Sequence, residues 1–137
     1  MDVAWDDAWK VTEKVLAKLN DAVTRDGAEF MVLVLPEVFD LDPDWRSLVA
    51  TELGEVPVVF EPEKSMERLR AMAERNQFHL STLSPHLQKY SDEHGLASPY
   101  FALDCDPHFS ALGHEVVAGA IVEELNRYDL IPESGGA

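Results

Sequence analysis

Basic residues are scarce in this sequence. Eleven Lys and Arg stand against 26 Asp and Glu, a net charge of −15 over 137 residues. Such a field repels a phosphate backbone, which argues against nucleic acid as a partner, and an anionic membrane surface is disfavoured for the same reason. Cysteine is nearly absent. The single Cys105 excludes an intramolecular disulfide and any multi-cysteine metal site, and it leaves the redox compartment open. No stretch approaches the roughly 18–20 apolar residues that cross a bilayer, and Met1-Asp2-Val3-Ala4-Trp5-Asp6-Asp7 has no apolar signal region. No internal repeat or low-complexity tract is present. What remains is an acidic chain with an apolar fraction of 46%, ordinary for a globular fold, and of a length that suits one domain. The expectation is a single α/β domain over 1–132 with a disordered tail over 133–137.

Hydrophobic periodicity divides the chain into alternating elements. Trp5, Ala8, Trp9, Thr12, Val15, Leu16, Leu19 and Val23 recur at three- and four-residue steps and predict a helix over 5–26 with one apolar face, both tryptophans anchoring the core. Gly27 stops it. Phe30-Met31-Val32-Leu33-Val34-Leu35 is a continuous apolar run closed by Pro36, the pattern of a parallel strand buried on both faces. A second helix is expected over 62–76. Phe78–Leu83 alternates apolar and polar residues like an edge strand, with His79 half-exposed. A short helix follows from Ser84-Pro85 to about Tyr90, with His86 at its surface, and then a polar loop over 91–95 leaves His94 in solvent. A last helix over 111–127, capped by Ser110, buries Leu112, Val116, Val117, Ala120, Ile121 and Leu125. Only two parallel strands are evident, fewer than a covered parallel sheet normally has. Their open edge offers a route to self-association, or to pairing with a strand from elsewhere.

One stretch concentrates acid–base chemistry: Asp104-Cys105-Asp106-Pro107-His108-Phe109-Ser110-Ala111-Leu112-Gly113-His114. In extended backbone, positions i and i+2 share a side, so Asp106 and His108 can meet. Pro107 favours extended geometry at Asp106. A carboxylate on one imidazole nitrogen fixes the tautomer and stabilises the imidazolium, and the other nitrogen is then free to take a proton from a hydroxyl. Asp104 is the alternative partner. The position, a loop directly before the final helix of an α/β chain, is one where site residues collect.

Asp106-Pro107-His108-Phe109-Ser110-Ala111-Leu112-Gly113-His114-Glu115-Val116-Val117-Ala118 resembles the last signature block of the SGNH hydrolase superfamily, also called GDSL esterases, in which an Asp and a His two or three residues apart precede a Gly-His or Gly-Tyr at the start of the C-terminal helix. The order of elements is similar to that family's C-terminal half. The resemblance implies a partial flavodoxin-like three-layer α/β/α fold with few parallel strands, and hydrolysis of acyl or acetyl esters on small molecules, carbohydrates or lipids. It makes His108 the general base and Asp106 its orienting partner, and it implies no cofactor. Two of the family's blocks have no counterpart here. There is no Gly-Asp-Ser nucleophile and no Gly-x-Asn oxyanion block, and Ser47, Ser65, Ser81, Ser84, Ser91, Ser98 and Ser110 lack a nucleophile-elbow setting. The chain alone is therefore expected to be inactive, since oxyanion donors and nucleophile carry much of the rate enhancement.

Three other readings attach to the same residues. Asp104, Asp106, His108 and His114 are ligand types for zinc, manganese or iron. A hydrolase-shaped module without catalysis would fit the missing nucleophile and serve interaction. A Cys105–His108 thiol hydrolase is disfavoured by the carboxylates on both sides of Cys105, which oppose a thiolate. Elsewhere, Asp40, Asp42 and Asp44 are spaced like the start of a calcium loop. They lack its glycine and its terminal glutamate, and a solvated acidic loop is the better reading.

Overall fold

The computed structural model describes residues 3–36, 63–95, 102–103 and 106–131, together with Leu41, Asp44, Ser47 and Thr51, which are helical. The chain is mixed α/β. Helix α1 spans Val3–Arg25, strand β1 Met31–Val34, helix α2 Glu63–Asn76, strand β2 His79–Thr82 and helix α3 Ser84–His94. Strands β3 (Ala102–Leu103) and β4 (Asp106–Phe109) then lead into helix α4 (Ala111–Arg127). β1 and β2 form a two-stranded sheet. The His79 amide donates to the Phe30 carbonyl and the Leu83 amide to the Val34 carbonyl, so partners advance together by four residues and the pairing is parallel. β3 and β4 pair antiparallel, Ala102 opposite Phe109 and Leu103 opposite Asp106, so the register shifts between these pairs and Pro107 and His108 are the extra residues of β4. The chain divides into two compact units, residues 1–32 with 62–80 and residues 33–61 with 81–137.

In the first unit α1 and α2 run in the same direction. Arg68 pairs with Asp6 at 2.9 Å, and Arg75 grips both oxygens of Glu13 at 2.9 and 3.0 Å, each partner seven residues further along. Trp9, Leu16, Phe30, Val32, Leu69 and Leu80 close over buried Met72, Ala73 and Phe78, and Phe30 meets Phe78 edge-on at 5.7 Å. Trp9 is the core anchor expected, with the Arg68 guanidinium 5.5 Å from its ring. Trp5 is not: it stands 67% exposed, and Val11, Val15 and Leu19 are exposed with it. The apolar residues of α1 form two stripes, and only the one on the α2 side is covered. β1 is likewise only half-buried at every position, where full burial was expected, and Leu35 beyond it is exposed.

The second unit is built on α3 and α4. Leu83 and Leu87, both fully buried, pack with Leu41, Val116, Val117 and Ala120, and with half-buried Leu33, Tyr90, Phe109, Leu112 and Ile121. α3 runs one turn past its expected end at Tyr90. It stops where Gly95 turns left-handed at φ 62° and its amide caps the Ser91 carbonyl. His94, expected in a loop, is the last helical residue. It bonds the Tyr90 carbonyl and stacks on the Tyr90 ring at 4.0 Å.

Helices α1, α2 and α4 each end in a backbone hydrogen bond that spans a left-handed residue, Ala28 to Val23, Phe78 to Ala73 and Leu130 to Leu125. After α1, the Gly27 amide donates to Thr24 and the Ala28 amide to Val23, the paired bonds of a Schellman motif around a glycine at φ 79°. After α2 and α4 the left-handed position falls on Gln77 (φ 56°) and Asp129 (φ 57°), where a Cβ makes that conformation costly. Gln77→Gly should therefore raise stability by about 0.5 kcal/mol despite the added freedom of the unfolded chain, a shift to be read as a higher urea midpoint at unchanged slope. The start of α4 is fixed by Ser110, whose Oγ accepts from the Gly113 amide at 3.1 Å. Ser110→Ala should cost about 1 kcal/mol in the same measurement.

Candidate functional site

The structure places the Asp106-Pro107-His108 segment in strand β4, not in the loop expected from the sequence. The reason is local. Asp106 and Phe109 find ladder partners in Leu103 and Ala102, and a proline is tolerated in a two-stranded ribbon where its missing N–H has no strand to serve. Asp106 and His108 therefore sit two residues apart in one strand, with the register shift falling between Asp106 and Phe109. His108 is exposed. Phe109 turns toward the α3–α4 core and meets the His114 ring edge-on at 6.0 Å. Ser110 faces the helix as its cap, and the His114 amide donates to the Ser110 carbonyl at 2.9 Å. His114 itself is exposed on the first turn of α4. Asp104 and Cys105 lie outside the described residues, as do Asp40, Asp42, the Ser98 position and the tail over 133–137. Among the described residues no group of three His, Cys, Asp or Glu side chains is arranged to hold a metal.

A second cluster was not anticipated. His86, expected at the surface, is held between two carboxylates of α4. Its Nδ1 lies 3.0 Å from Glu123 Oε2 and its Nε2 2.7 Å from Glu124 Oε1. Both ring nitrogens therefore face a carboxylate oxygen of α4, and the imidazole clasps α3 to α4. Arg127 Nη1 adds a bond to Glu124 Oε1 at 3.2 Å. Glu124 is 2% exposed, and its other oxygen, Oε2, meets no donor in good geometry among the described residues. Burial pushes its carboxyl up, but the Ser81 hydroxyl beside it, the His86 hydrogen bond and the Arg127 charge outweigh burial and hold it below its ordinary value of 4.5. The sequence signal was the stripe itself: residue 124 continues the buried series Val117, Ala120 on one helix face.

This depressed carboxyl has a consequence for acid stability. A group whose folded value is lowered contributes stability that is present above the unfolded value and lost as pH falls through the folded one. Asp6 and Glu13 are lowered too, each chiefly by its arginine hydrogen bond. Stability should fall below about pH 4.5, the ordinary glutamate value. In urea titrations between pH 6 and pH 3, Glu124→Gln should show a smaller fall than the unmodified protein.

Among the described residues each unit carries an open surface groove. An open groove of about 270 Å³ along α3 and α4 is lined by His86, Lys89, Tyr90, Glu115, Gly119 and Glu123, among others. One of about 320 Å³ along α1 and α2 is lined by Asp6, Trp9, Glu13, Arg68 and Arg75, among others. Neither includes His108. No described helix is long and apolar enough to cross a membrane. Compared with the known protein families, with curated proteins and with solved structures, the chain matches none of them.

Proposed function

We propose that the chain carries the acid–base part of an SGNH-type ester hydrolase. His108 is its general base and Asp106 the carboxylate that orients it. The observation that supports this reading is the geometry of β4. An Asp and a His two positions apart in one strand, with the His open to solvent, run directly into a helix whose first turn is capped by the next serine. That arrangement suits a base which must present one nitrogen to a hydroxyl while the other is held. In this reading the parallel pair β1–β2 and the helices around it belong to a flavodoxin-like three-layer sheet. The substrate is an acyl or acetyl ester of a small molecule or carbohydrate.

The nucleophile and the oxyanion donors are not among the motifs of this sequence, and Ser110, the serine nearest His108 in sequence, is committed to its cap. The chain by itself should hydrolyse p-nitrophenyl acetate no faster than its His108→Ala variant. Turnover that His108→Ala abolishes would contradict the absence of a nucleophile.

A further inference from the structure

We propose that His86 is a protonation-dependent latch on the rim of the α3–α4 groove, with the Glu123 carboxylate as its moving part. The ring lies between two carboxylates with very different surroundings. Glu124 is buried and sits 2.7 Å from Nε2, whereas Glu123 leaves 67% of its side chain in solvent and sits 3.0 Å from Nδ1. An imidazole has one N–H when neutral and two when protonated, and an ionised carboxylate can only accept. The protonated ring therefore holds both carboxylates. The neutral ring holds one and turns a lone pair toward the other.

Burial decides which one is released. The Glu124 side chain is 3% exposed, so no solvent replaces a lost donor, and an unmet buried carboxylate is costly. Arg127 Nη1 at 3.2 Å and the Ser81 hydroxyl of β2 also hold it in place. Glu123 rehydrates freely. Loss of the second ring proton thus keeps the Nε2–H bond to Glu124 and frees Glu123. The groove's other titratable groups do not hold Glu123 back. Glu115 of α4 and Glu93 of α3 carry its own sign, Tyr90 is an uncharged phenol at neutral pH, and Lys89 pairs with Glu93 at 3.9 Å. α3 and α4 stay joined in both states, through Glu124 and through Leu83, Leu87, Val116, Val117 and Ala120. Only the rim changes. His86 and Glu123 both line the groove of about 270 Å³, so one proton closes its edge and the loss of that proton opens it, leaving Nδ1 there as an acceptor. This latch does not depend on the reading of His108.

NMR of the full chain, swept across about pH 5–8, the span in which histidine side chains change charge, tests the proposal. The ring nitrogens of His86 should both be protonated at the acid end and form an Nε2–H tautomer at the basic end. Three-bond couplings of the Glu123 side chain should pass from one rotamer to an average of several, with the midpoint of the ring. Glu123→Gln, a change at an exposed position, supplies an amide N–H that the neutral ring can accept. Its side chain should keep one rotamer across the sweep while the ring still titrates. Glu123 couplings that do not change as the ring titrates overturn the proposal. So does a ring that keeps one protonation state throughout, an Nδ1–H tautomer at the basic end, or a Glu123→Gln side chain that loosens in step with the ring.

Discussion

Replacing His86 with alanine is expected to destabilise the protein by about 2 kcal/mol, the range found when a buried polar group loses a hydrogen-bond partner. The size follows from what is left behind. Glu124 would keep its carboxylate in a site only 2% exposed, with Oε2 already lacking a well-aligned donor and Oε1 reduced to Arg127 at 3.2 Å. A buried carboxylate left with only Arg127 and the Ser81 hydroxyl costs more than the clasp is worth as a net interaction. The double variant His86→Leu/Glu124→Leu removes both polar groups and replaces them with apolar volume, so it should recover most of the loss. Urea unfolding of the three proteins separates the two effects. If the single and double variants are equally destabilised, the cost lies in lost packing between α3 and α4 and not in a stranded carboxylate.

Leu87→Ala should cost about 3–4 kcal/mol. Leu87 is fully buried in the second unit's core, against Leu83, Val116, Val117 and Ala120. Truncation loses the transfer free energy of the removed methyl groups and leaves a cavity between two helices that cannot close over it freely. Leu87→Met, which conserves volume, should cost under about 1.5 kcal/mol. An exposed leucine is the internal control: Leu19→Ala should change stability by no more than about 0.5 kcal/mol. A Leu87→Ala loss no larger than that of Leu19→Ala would mean that the α3–α4 core does not hold the unit together.

Elements whose signal is local were legible in the sequence. The apolar run Met31–Val34, the Ser110 cap and the Val116, Val117, Ala120 stripe each stand where their own residues put them. What escaped depends on partners distant in the chain. α1 reads as one broad apolar face because its two stripes lie next to each other around the helix. Which of them is buried is decided by α2, some 60 residues on, through Asp6–Arg68 and Glu13–Arg75. His86 reads as a surface residue because its carboxylates are 37 and 38 residues away. Asp106-Pro107-His108 reads as a loop because proline and aspartate disfavour strands, and only pairing with Ala102–Leu103 makes it one. The Asp–His spacing itself was visible from the outset.

The account of the site turns on whether Asp106 orients His108. Two-bond and three-bond ¹H–¹⁵N correlation spectra of the histidine rings at pH 8 read this directly, because they distinguish an imidazole fixed in one tautomer from one that exchanges between two. His108 should be held as the Nδ1–H tautomer, with Nε2 unprotonated, and Asp106→Asn should alter that pattern while leaving His94 and His114 unchanged. A His108 ring whose tautomer pattern is the same in the unmodified protein and in Asp106→Asn would contradict the dyad and, with it, the assignment of His108 as a base.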